Sequence, residues 1–314
     1  MNFATAFAAL LMERAIGYPP FLFNRISHPV VWMGTWLSFL EKHLNKPDAK
    51  NARLRGVLAW GLYVSLILAI TLAITIALHQ FTYGWLLEAL LATTLLAQKD
   101  LHRFVAAVAD GLDQSLDKGR EAVSHIVGRD PKQLDESGVS RAALESLAEN
   151  ASDGIVAPAF WLAIGGLPAL ALYKAINTAD SMIGHKSERY LHFGWASARI
   201  DDLVNLPASR LCGLLYAAAA ITNLARSKAA IKAMFRDAGK HQSPNAGWPE
   251  SALAGAMDIK LGGPRSYEGE RVDLAFMGTG RETLKAQDIR DGLKLYSRAM
   301  WALTALVGLG AWLI

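Results

Sequence analysis

Two polar blocks within residues 145–210, each rich in carboxylates and side-chain amides, flank an uncharged hydrophobic segment. The first block carries Glu145, Glu149 and Asp153 at four-residue intervals, so one helix would place all three carboxylates on one face. Like charges at that spacing repel one another unless cations or a ligand offset them. The second block contains Asn177, Asp180, Ser181, His185, Asp201, Asp202 and Asn205. These residue types indicate a site for a metal ion and phosphate groups.

The motif Asp201-Asp202-x-x-Asn205 places oxygen ligands at positions i, i+1 and i+4 of a helix. That spacing suits a magnesium ion whose remaining positions are taken by phosphate oxygens. The motif alone leaves an alternative open, in which these acidic residues are solvated at a membrane boundary or pair with Arg199 and Arg210. Several polar blocks in one hydrophobic chain shift the balance toward an enzyme that acts on phosphorylated substrates.

The composition is that of a membrane protein. The chain has 314 residues, of which 52% are hydrophobic and 19% charged, and its apolar residues are gathered into long runs. Cys212 is the single cysteine, which excludes an intramolecular disulfide and a cysteine-based zinc site, and we expect it to pack in an apolar interior. The net charge is +4, and Lys and Arg lie mostly between the hydrophobic runs. They indicate topology and contacts with anionic ligands, and we expect no nucleic-acid partner.

The clearest membrane span covers residues 57–78, which carry no charge. At ~1.5 Å per residue they can cross a hydrocarbon core of ~30 Å. Residues 81–97 are predicted to return as a second span, and the basic residues on either side of this pair then indicate the cytoplasm. Glu88 lies in the returning segment, where a carboxylate is either a functional candidate or a residue close to the membrane interface.

Residues 98–153 have the composition of a soluble region and a helical period. One apolar stripe, for which we expect a place in the core, consists of Leu101, Phe104, Val105, Val108, Leu112 and Leu116. Ser140 is predicted to cap the helix that carries Glu145 and Asn150. Asp153-Gly154 is predicted to end that helix.

The uncharged segment 154–173 contains Gly165-Gly166-Leu167-Pro168, which weakens or breaks a helix. In one topology the segment is a full span paired with residues 206–225, which leaves 177–203 outside. In the other it is a re-entrant hairpin that returns Asn177 to the side of Asp153. Parity along the chain favours the first topology. We favour the second, because it unites the two acidic blocks.

Residues 226–292 form the largest polar insertion, and their Lys and Arg content predicts a cytoplasmic location. Its glycine-rich turns can direct backbone amides at phosphate, but none matches the P-loop or the dinucleotide fingerprint. Residues 299–314 form a closing apolar helix. The sequence thus predicts an all-α fold, a polytopic integral membrane helical bundle with cytoplasmic helical and loop insertions. Residues 1–314 would form a single membrane-embedded catalytic domain.

Seven motifs follow one another between His28 and Asp273. They are HPVVWMG, GRD, ESLAENASDGIVAP, YKAINTADSMIGHKSERY, ARIDDLVNLPASRL, SPNAGWPESALAGAMDIKLGGP and YEGERVD. In this order they resemble the signature of the adenosylcobinamide-phosphate synthase family of cobalamin biosynthesis (CobD/CbiB). The resemblance covers most of the chain, and the combination of motifs is highly specific.

The resemblance implies an ATP- and magnesium-dependent ligase. It would form an amide between a propionate carboxylate of adenosylcobyric acid and the amine of aminopropanol phosphate or a related amino-alcohol phosphate. A carboxylate is a poor acyl donor at neutral pH, so ATP must activate it, and the family implies a route that releases phosphate. The resemblance also implies a multi-pass protein of the cell (inner) membrane with a cytoplasmic active face. Its partners would be the lipid bilayer and other late cobalamin-pathway membrane enzymes.

Under this resemblance the candidate residues take specific roles. Asp153, Asp180, Asp201 and Asp202 are assigned to magnesium and nucleotide, and Asn150, Asn177 and Asn205 orient them. Glu145 is assigned to take a proton from the attacking amine. Charge and position place Lys186, Arg199, Arg210 and Arg271 on phosphate groups. His28, Ser181, Ser243, Asn245 and Glu250 complete the site as substrate- or nucleotide-binding residues.

A few positions depart from the family's pattern. Glu13 stands where an aspartate is common, and Gly17-Tyr18-Pro19 stands where Gly-Asp-Pro is common, so Tyr18 is left out of the site. His185 stands where tyrosine is frequent, which argues against an imidazole base there.

Two other function classes remain open. A magnesium-dependent membrane transferase of phospho-alcohols or prenyl diphosphates also pairs two acidic motifs, but it needs no ATP and forms no amide. A transporter for a corrinoid or another organic anion would use the spans and their polar residues. The absence of inverted sequence repeats counts against the transporter.

Overall fold

The computed structural model describes residues 2–19, 25–46, 51–128, 130–267, 270–272 and 274–313, and between 265 and 272 it describes the backbone alone. Arg129 of the GRD motif and Glu268, Gly269 and Asp273 of the YEGERVD motif lie outside the described residues. The described chain is mostly helical, with four strands of two or three residues, which confirms the all-α prediction.

The helices are α1 (Phe3–Ile16), α2 (Pro29–Leu44), α3 (Ala52–Leu78), α4 (Gly84–Thr93), α5 (Gln98–Gln114), α6 (Leu116–Ser124), α7 (Glu136–Ala151), α8 (Ala157–Ile183), α9 (Trp195–Ala219), α10 (Leu224–Asp237), α11 (Gly247–Met257) and α12 (Ala286–Leu313). A π-helical segment (Ser152–Val156) joins α7 to α8, and a 3-10 turn (Ala238–Lys240) follows α10. Strand β1 (Leu261–Gly262) pairs with β4 (Phe276–Met277), and β2 (Arg265–Tyr267) pairs with β3 (Glu270–Val272). Both pairs are antiparallel.

The chain divides into two compact units. The first contains Met1–Ala97, Ala157–Asn205 and Val307–Ile314. The second contains Gln98–Val156 and Leu206–Leu306.

In the first unit, α3 contains the predicted span 57–78 and extends it to 27 residues. Only 17% of the residues in its most apolar window are buried. Large side chains such as Leu58, Leu62 and Ile70 are therefore exposed along the helix. A continuous apolar surface of this kind marks a binding or membrane surface. The helix is long and apolar enough to cross a membrane.

A second helical run, Glu136–Ile183, also has the length and composition of a membrane span. Its most apolar window is 67% buried, so much of its apolar surface packs inside the protein. Among the described residues, these two runs are the candidates for crossing a membrane. The closing helix α12 is not one of these candidates.

The return span predicted for residues 81–97 is wrong in length. The helix α4 has ten residues, which at ~1.5 Å per residue extend over about half of a hydrocarbon core. At its end, the hydroxyl of Thr93 donates to the carbonyl of Leu90 at 2.6 Å. Such bonds compete with the helical ladder, and the chain turns before α5 begins at Gln98.

The predicted break at Gly165-Gly166 is confirmed. Both residues leave the helical conformation inside α8, and Gly166 adopts φ 68° and ψ −162°, a region almost exclusive to glycine. Leu167, the next residue, donates its backbone N–H to Oε1 of Glu88 at 2.7 Å. Glu88 is buried, and Nε2 of His79 lies 3.3 Å from its other oxygen. This carboxylate thus accepts one of the backbone N–H groups that lack helical partners at the start of the second half of α8.

The helix α7 differs from the prediction at both ends. Asp135 caps it and accepts the backbone N–H of Gly138 at 2.7 Å, whereas Ser140 lies buried inside the helix. Asp153 and Gly154 do not end the helix but lie in the π-helical segment, from which α8 continues. Single π turns of this kind occur frequently at functional sites.

In the second unit, α5 packs against α6 and α7. The predicted stripe is confirmed for Leu101, Val105 and Val108, which are buried, whereas Phe104 is exposed. The helices α10 and α11 pack together beside β1 and β4. The strands were not predicted, because elements of two or three residues are too short to show a period.

Candidate active site

Asp201 and Asn205 lie one turn apart on α9, as their spacing predicts. Nδ2 of Asn205 donates to Oδ2 of Asp201 at 3.0 Å, and Nδ2 of Asn177 donates to Oδ1 at 3.4 Å. Oδ1 of Asn205 accepts the hydroxyl of Tyr173 at 2.8 Å. Asp201 is 8% exposed and Asn205 is fully buried. The first unit therefore holds a buried carboxylate between two side-chain amides.

Burial and a neighbouring carboxylate raise the pKa of Asp201 to about 7. Burial is the larger cause, because it removes the water that stabilises the charge. The negative charge of Asp180 adds to it, and the bonds from Asn177 and Asn205 lower the pKa without cancelling the rise. A bound cation would offset this cost, and a donor set made of oxygen atoms alone is the one that magnesium prefers.

Asp180 lies half-buried near the end of α8, where Gly184 leaves room for it. A Cβ atom at Gly184 would lie 1.9 Å from Oδ1 of Asp180, so a larger residue would displace the carboxylate. Ser181 donates its hydroxyl to the carbonyl of Asn177 at 2.9 Å, one turn back along the helix. The second polar block is thus assembled on the last turns of α8 and the first turns of α9.

Asp202 lies within electrostatic reach of two predicted phosphate contacts. Burial raises its pKa, while the positive charges of Arg199 and Lys186 act in the opposite direction. Both cations are exposed. The first unit therefore brings carboxylates, amides and two exposed cations together.

Tyr173 and Lys174 belong to this cluster, although they were missing from the predicted site. Nζ of Lys174 donates to Oδ1 of Asn177 at 3.4 Å. The two residues precede Asn177 by four and three positions, a spacing that places them on its face of the helix. Because both residues stand at the end of a hydrophobic segment, their spacing from Asn177 was not recognised in the sequence.

The predicted residues of the first polar block lie on α7 and in the π-helical segment after it. Glu145 is buried, and its Oε1 accepts the backbone N–H of Gly262 in β1 at 2.6 Å. Asn150 is exposed and donates to the carbonyl of Ser146 at 2.9 Å. Asp153 is half-buried in the π-helical segment. The three carboxylates at four-residue intervals thus differ in burial, since Glu145 is buried, Glu149 exposed and Asp153 half-buried.

Arg210, Ser243 and Asn245, three of the candidate site residues, come together in the second unit. Nη1 of Arg210 donates to Oδ1 of Asn245 at 3.0 Å, and the hydroxyl of Ser209 donates to the same atom at 3.1 Å. The Arg210 guanidinium lies 4.5 Å from the centre of the Trp248 ring. The hydroxyl of Ser243 accepts the backbone N–H of Asn245 at 3.2 Å and thereby shapes the turn. The group presents a cation with its orientation fixed on both sides.

Asp237 is a buried carboxylate that the sequence did not single out. It accepts hydrogen bonds from Arg236, from Nζ of Lys240 at 2.8 Å and from the backbone N–H of Gly278 at 2.9 Å. Burial acts to raise its pKa, but these donors outweigh burial and hold the pKa well below its usual range. A carboxylate with this many donors has a structural role, here joining α10 to the residue after β4.

Of three further predicted residues, His28 and Glu250 have contacts with nearby residues, and the side chain of Arg271 is not described. Nδ1 of His28 accepts the backbone N–H of Val30 at 3.2 Å and so caps α2. Glu250 is buried, with Nε2 of His241 3.6 Å from its Oε1. The side chain of Arg271 lies outside the described residues.

Within the described ranges, no group of three or more His, Cys, Asp or Glu side chains is arranged to hold a metal ion. Magnesium commonly takes one or two protein carboxylates and completes its shell with water and phosphate oxygens. Asp201, with Asp180 beside it, fits that mode of binding. The assignment of Asp153, Asp180, Asp201 and Asp202 to the metal stays a prediction.

Comparison with known proteins gives consistent matches. A family model described as "CobD/Cbib protein" matches residues 6–296. A "Cobalamin biosynthesis protein CobD" from Sinorhizobium sp is 49% identical over 310 residues, which cover 95% of each chain. Its namesake from Rhodobacter capsulatus is 48% identical over 99% of this chain and 98% of the relative. The namesake from Brucella suis biovar 1 is 49% identical over 95% of this chain and 94% of the relative. No solved structure matches the chain significantly.

Proposed function

Since this chain belongs to the CobD/Cbib protein family, we propose that it is an adenosylcobinamide-phosphate synthase of cobalamin biosynthesis. It joins a propionate carboxylate of adenosylcobyric acid to the amine of aminopropanol phosphate or a related amino-alcohol phosphate. ATP supplies the driving force and leaves as ADP and phosphate. The carboxylate loses one oxygen to the phosphate, and the amine loses a proton as the C–N bond forms.

The observation that carries this proposal is the buried carboxylate of Asp201, held by Asn177 and Asn205 beside Asp180. A carboxylate at this position costs folding free energy, because burial and a like charge both oppose its ionisation. Groups with strongly perturbed pKa values cluster at functional sites. A site for magnesium and a nucleotide accounts for keeping such a group in the first unit.

The residues of the first unit divide into two tasks. Asp180, Asp201 and Asp202 would hold magnesium, which neutralises phosphate charge when bound. Asp153 lies in the second unit, and its metal role stays a prediction. Lys186 and Arg199 contact phosphate oxygens, because both are exposed cations near Asp202. Asn177 and Asn205 fix the orientation of the carboxylate that they contact.

In the second unit, Glu145 takes the proton from the attacking amine. Arg210 contacts a substrate phosphate, since Asn245 and Trp248 fix its guanidinium. In this proposal the atoms that form the new bond all belong to the substrates. The protein neutralises charge, transfers a proton and excludes water.

The protein is proposed to act in the inner membrane as a multi-pass enzyme with a cytoplasmic active face. The exposed apolar surface of α3 supports contact with lipid. The cytoplasmic face follows from the use of ATP and from the basic residues of the 226–292 insertion.

The test is a reaction of the purified protein with adenosylcobyric acid, ATP, magnesium and aminopropanol phosphate. We expect ADP and an amide product in equal amounts. If neither the amide nor ADP is formed, the synthase proposal is excluded. Transfer of a phospho-alcohol without ATP would indicate the membrane transferase, and flux of a corrinoid into proteoliposomes without nucleotide turnover would indicate the transporter.

A further inference from the structure

A groove of about 640 Å³ lies in the first unit between α2 and the second half of α8. Its walls combine aliphatic side chains, among them Val30, Val31 and Met182, with the hydroxyls of residues such as Thr35 and Thr178. Pockets of this volume hold drug-sized ligands. Walls of this type suit a ligand with flat apolar faces and polar edges.

Asn177 and Lys174 place one side of this groove beside the carboxylates. Both residues line the groove. Nδ2 of Asn177 donates to Asp201 at 3.4 Å, and Nζ of Lys174 donates to Oδ1 of Asn177 at 3.4 Å. A hydrogen-bonded chain thus runs from the buried carboxylate through one amide to an ammonium group on the groove wall. A ligand in the groove would meet positive charge where it approaches Asp201.

We propose that this groove binds the nucleoside part of ATP, with Lys174 contacting the phosphate groups. The proposal rests on the proposed function and names the place of one of its substrates. An amino-alcohol phosphate is small and polar throughout, so it does not match aliphatic walls of this extent. The corrinoid is several times larger than a nucleoside, so a groove of this volume encloses at most one of its side groups. A nucleoside triphosphate has a flat base with apolar faces and an anionic end, and the groove offers both aliphatic walls and the ammonium group of Lys174.

Gly34 in α2 controls the width of the groove. It lines the groove, and a Cβ atom placed on it would lie 3.2 Å from Sδ of Met182 on the opposite wall. A flexible methionine can move by the few tenths of an ångström that alanine needs, but a leucine would fill the space. Gly61 in α3 provides a matched control, because a Cβ atom there meets nothing within 4 Å.

The first experiment measures equilibrium binding of a non-hydrolysable ATP analogue with magnesium to the purified protein and to two variants. Gly34→Leu is expected to weaken binding by about tenfold or more, because the side chain occupies the volume of the base. Gly61→Leu is expected to leave the dissociation constant unchanged. Equal affinity of the wild type and a folded Gly34→Leu variant would overturn the proposal. A raised KM for the amine or the corrinoid, with the KM for ATP unchanged, would also overturn it.

The second experiment separates the two ends of the ligand. Lys174→Met is expected to weaken binding of the triphosphate analogue by about tenfold, since it removes a charge-assisted contact. It should leave competition by adenosine unchanged, whereas Gly34→Leu should weaken both ligands. Lys42→Met serves as control, because Lys42 is an exposed residue of α2 outside the groove. Equal losses for adenosine and the triphosphate in Lys174→Met would overturn the phosphate contact.

These measurements remain distinct from the test of the proposed function. If the wild type binds the nucleotide in the groove but forms no amide, the synthase proposal fails and the groove proposal stands. If the amide forms and Gly34→Leu does not affect nucleotide binding, the groove proposal fails and the synthase proposal stands.

Discussion

Asn205 donates from Nδ2 to Oδ2 of Asp201 at 3.0 Å, in a place where Asn205 itself is fully buried. The same amide accepts the Tyr173 hydroxyl through its oxygen, so its orientation is fixed from both sides. The Asp201 carboxylate is therefore held in one position while it is largely removed from water. This arrangement lowers the stability of the fold, because the ionised carboxylate of Asp201 is poorly solvated. It also orients that carboxylate for binding a ligand, as is common at functional sites.

Asp201→Asn is predicted to abolish amide synthesis and to stabilise the protein at pH 8. The pKa of Asp201 is raised from 3.8 to about 7, which corresponds to a cost of up to ~4 kcal/mol for the ionised folded protein. The amide loses one acceptor, which offsets ~1–3 kcal/mol of the gain. We therefore expect a net gain of ~1–3 kcal/mol in the free energy of unfolding, measured in detergent by denaturant titration.

Because the pKa of Asp201 is raised in the folded protein, the stability gained by Asp201→Asn depends on pH. The folded protein binds the Asp201 proton more tightly than the unfolded chain, so the wild type loses stability as the pH rises from about 4 to about 7. The advantage of Asp201→Asn is expected at pH 8 and should vanish at pH 4. An advantage of equal size at both pH values would contradict the assignment of the cost to ionisation.

Asp237→Asn is predicted to destabilise the protein, and it provides the matched control for Asp201→Asn. Its pKa is held low by Arg236, Lys240 and the Gly278 amide, so the ionised form stabilises the fold above the ordinary pKa of 3.8. The stabilisation is lost as the pH falls through the lowered folded pKa. The variant should lose ~2–4 kcal/mol in the free energy of unfolding at pH 8, because the charge-assisted bonds that Arg236 and Lys240 donate to the buried carboxylate are lost. Stabilisation by this substitution would contradict the structural role.

The contrast between these aspartates shows what the sequence can predict. Asp201 and Asn205 follow from their i, i+4 spacing, which operates within one helix. The partner of Glu145 is the amide of Gly262, 117 positions away, and no local pattern indicates it. Ser140 and Asp135 are both good caps by residue type, and residue type alone does not show that the helix begins after Asp135. The break at Gly165-Gly166 was predictable because a glycine pair weakens a helix in any context, but the bond from Leu167 to Glu88 was not.

Gly166→Ala is predicted to destabilise the first unit by ~2–3 kcal/mol, because φ 68° with ψ −162° strains any residue with a Cβ atom. That atom would also lie 2.8 Å from Oε1 of Glu88. Gly61→Ala, in open space on α3, should be neutral or slightly stabilising. Thermal unfolding in detergent measures both variants. Equal midpoints for the two would show that the break in α8 does not depend on glycine.

Glu145→Gln separates proton transfer from the hydrogen bond to Gly262. Glutamine keeps an oxygen that can accept the backbone N–H, so the free energy of unfolding should change by less than ~1 kcal/mol. The rate of amide formation should fall by ~100- to 10,000-fold if Glu145 takes the amine proton. Glu145→Ala should lose both stability and activity. A Glu145→Gln variant that retains full activity would leave Glu145 with its structural role alone.

The 184–194 segment between α8 and α9 is predicted to face the cytoplasm, where ATP is present. Ser197, a natural choice for labelling, is buried, so the probes belong at the exposed residues Ser187 and His192. Single cysteines are placed there after Cys212→Ser, and intact cells are treated with a membrane-impermeant thiol reagent. We expect labelling only after the membrane is permeabilised. Gln80→Cys, in the exposed turn after α3, is expected to react on intact cells and controls for access of the reagent. Labelling of Ser187→Cys from outside would place Asp180 and the start of α9 on the wrong side for ATP, and the magnesium and nucleotide roles of Asp180, Asp201 and Asp202 would have to be abandoned.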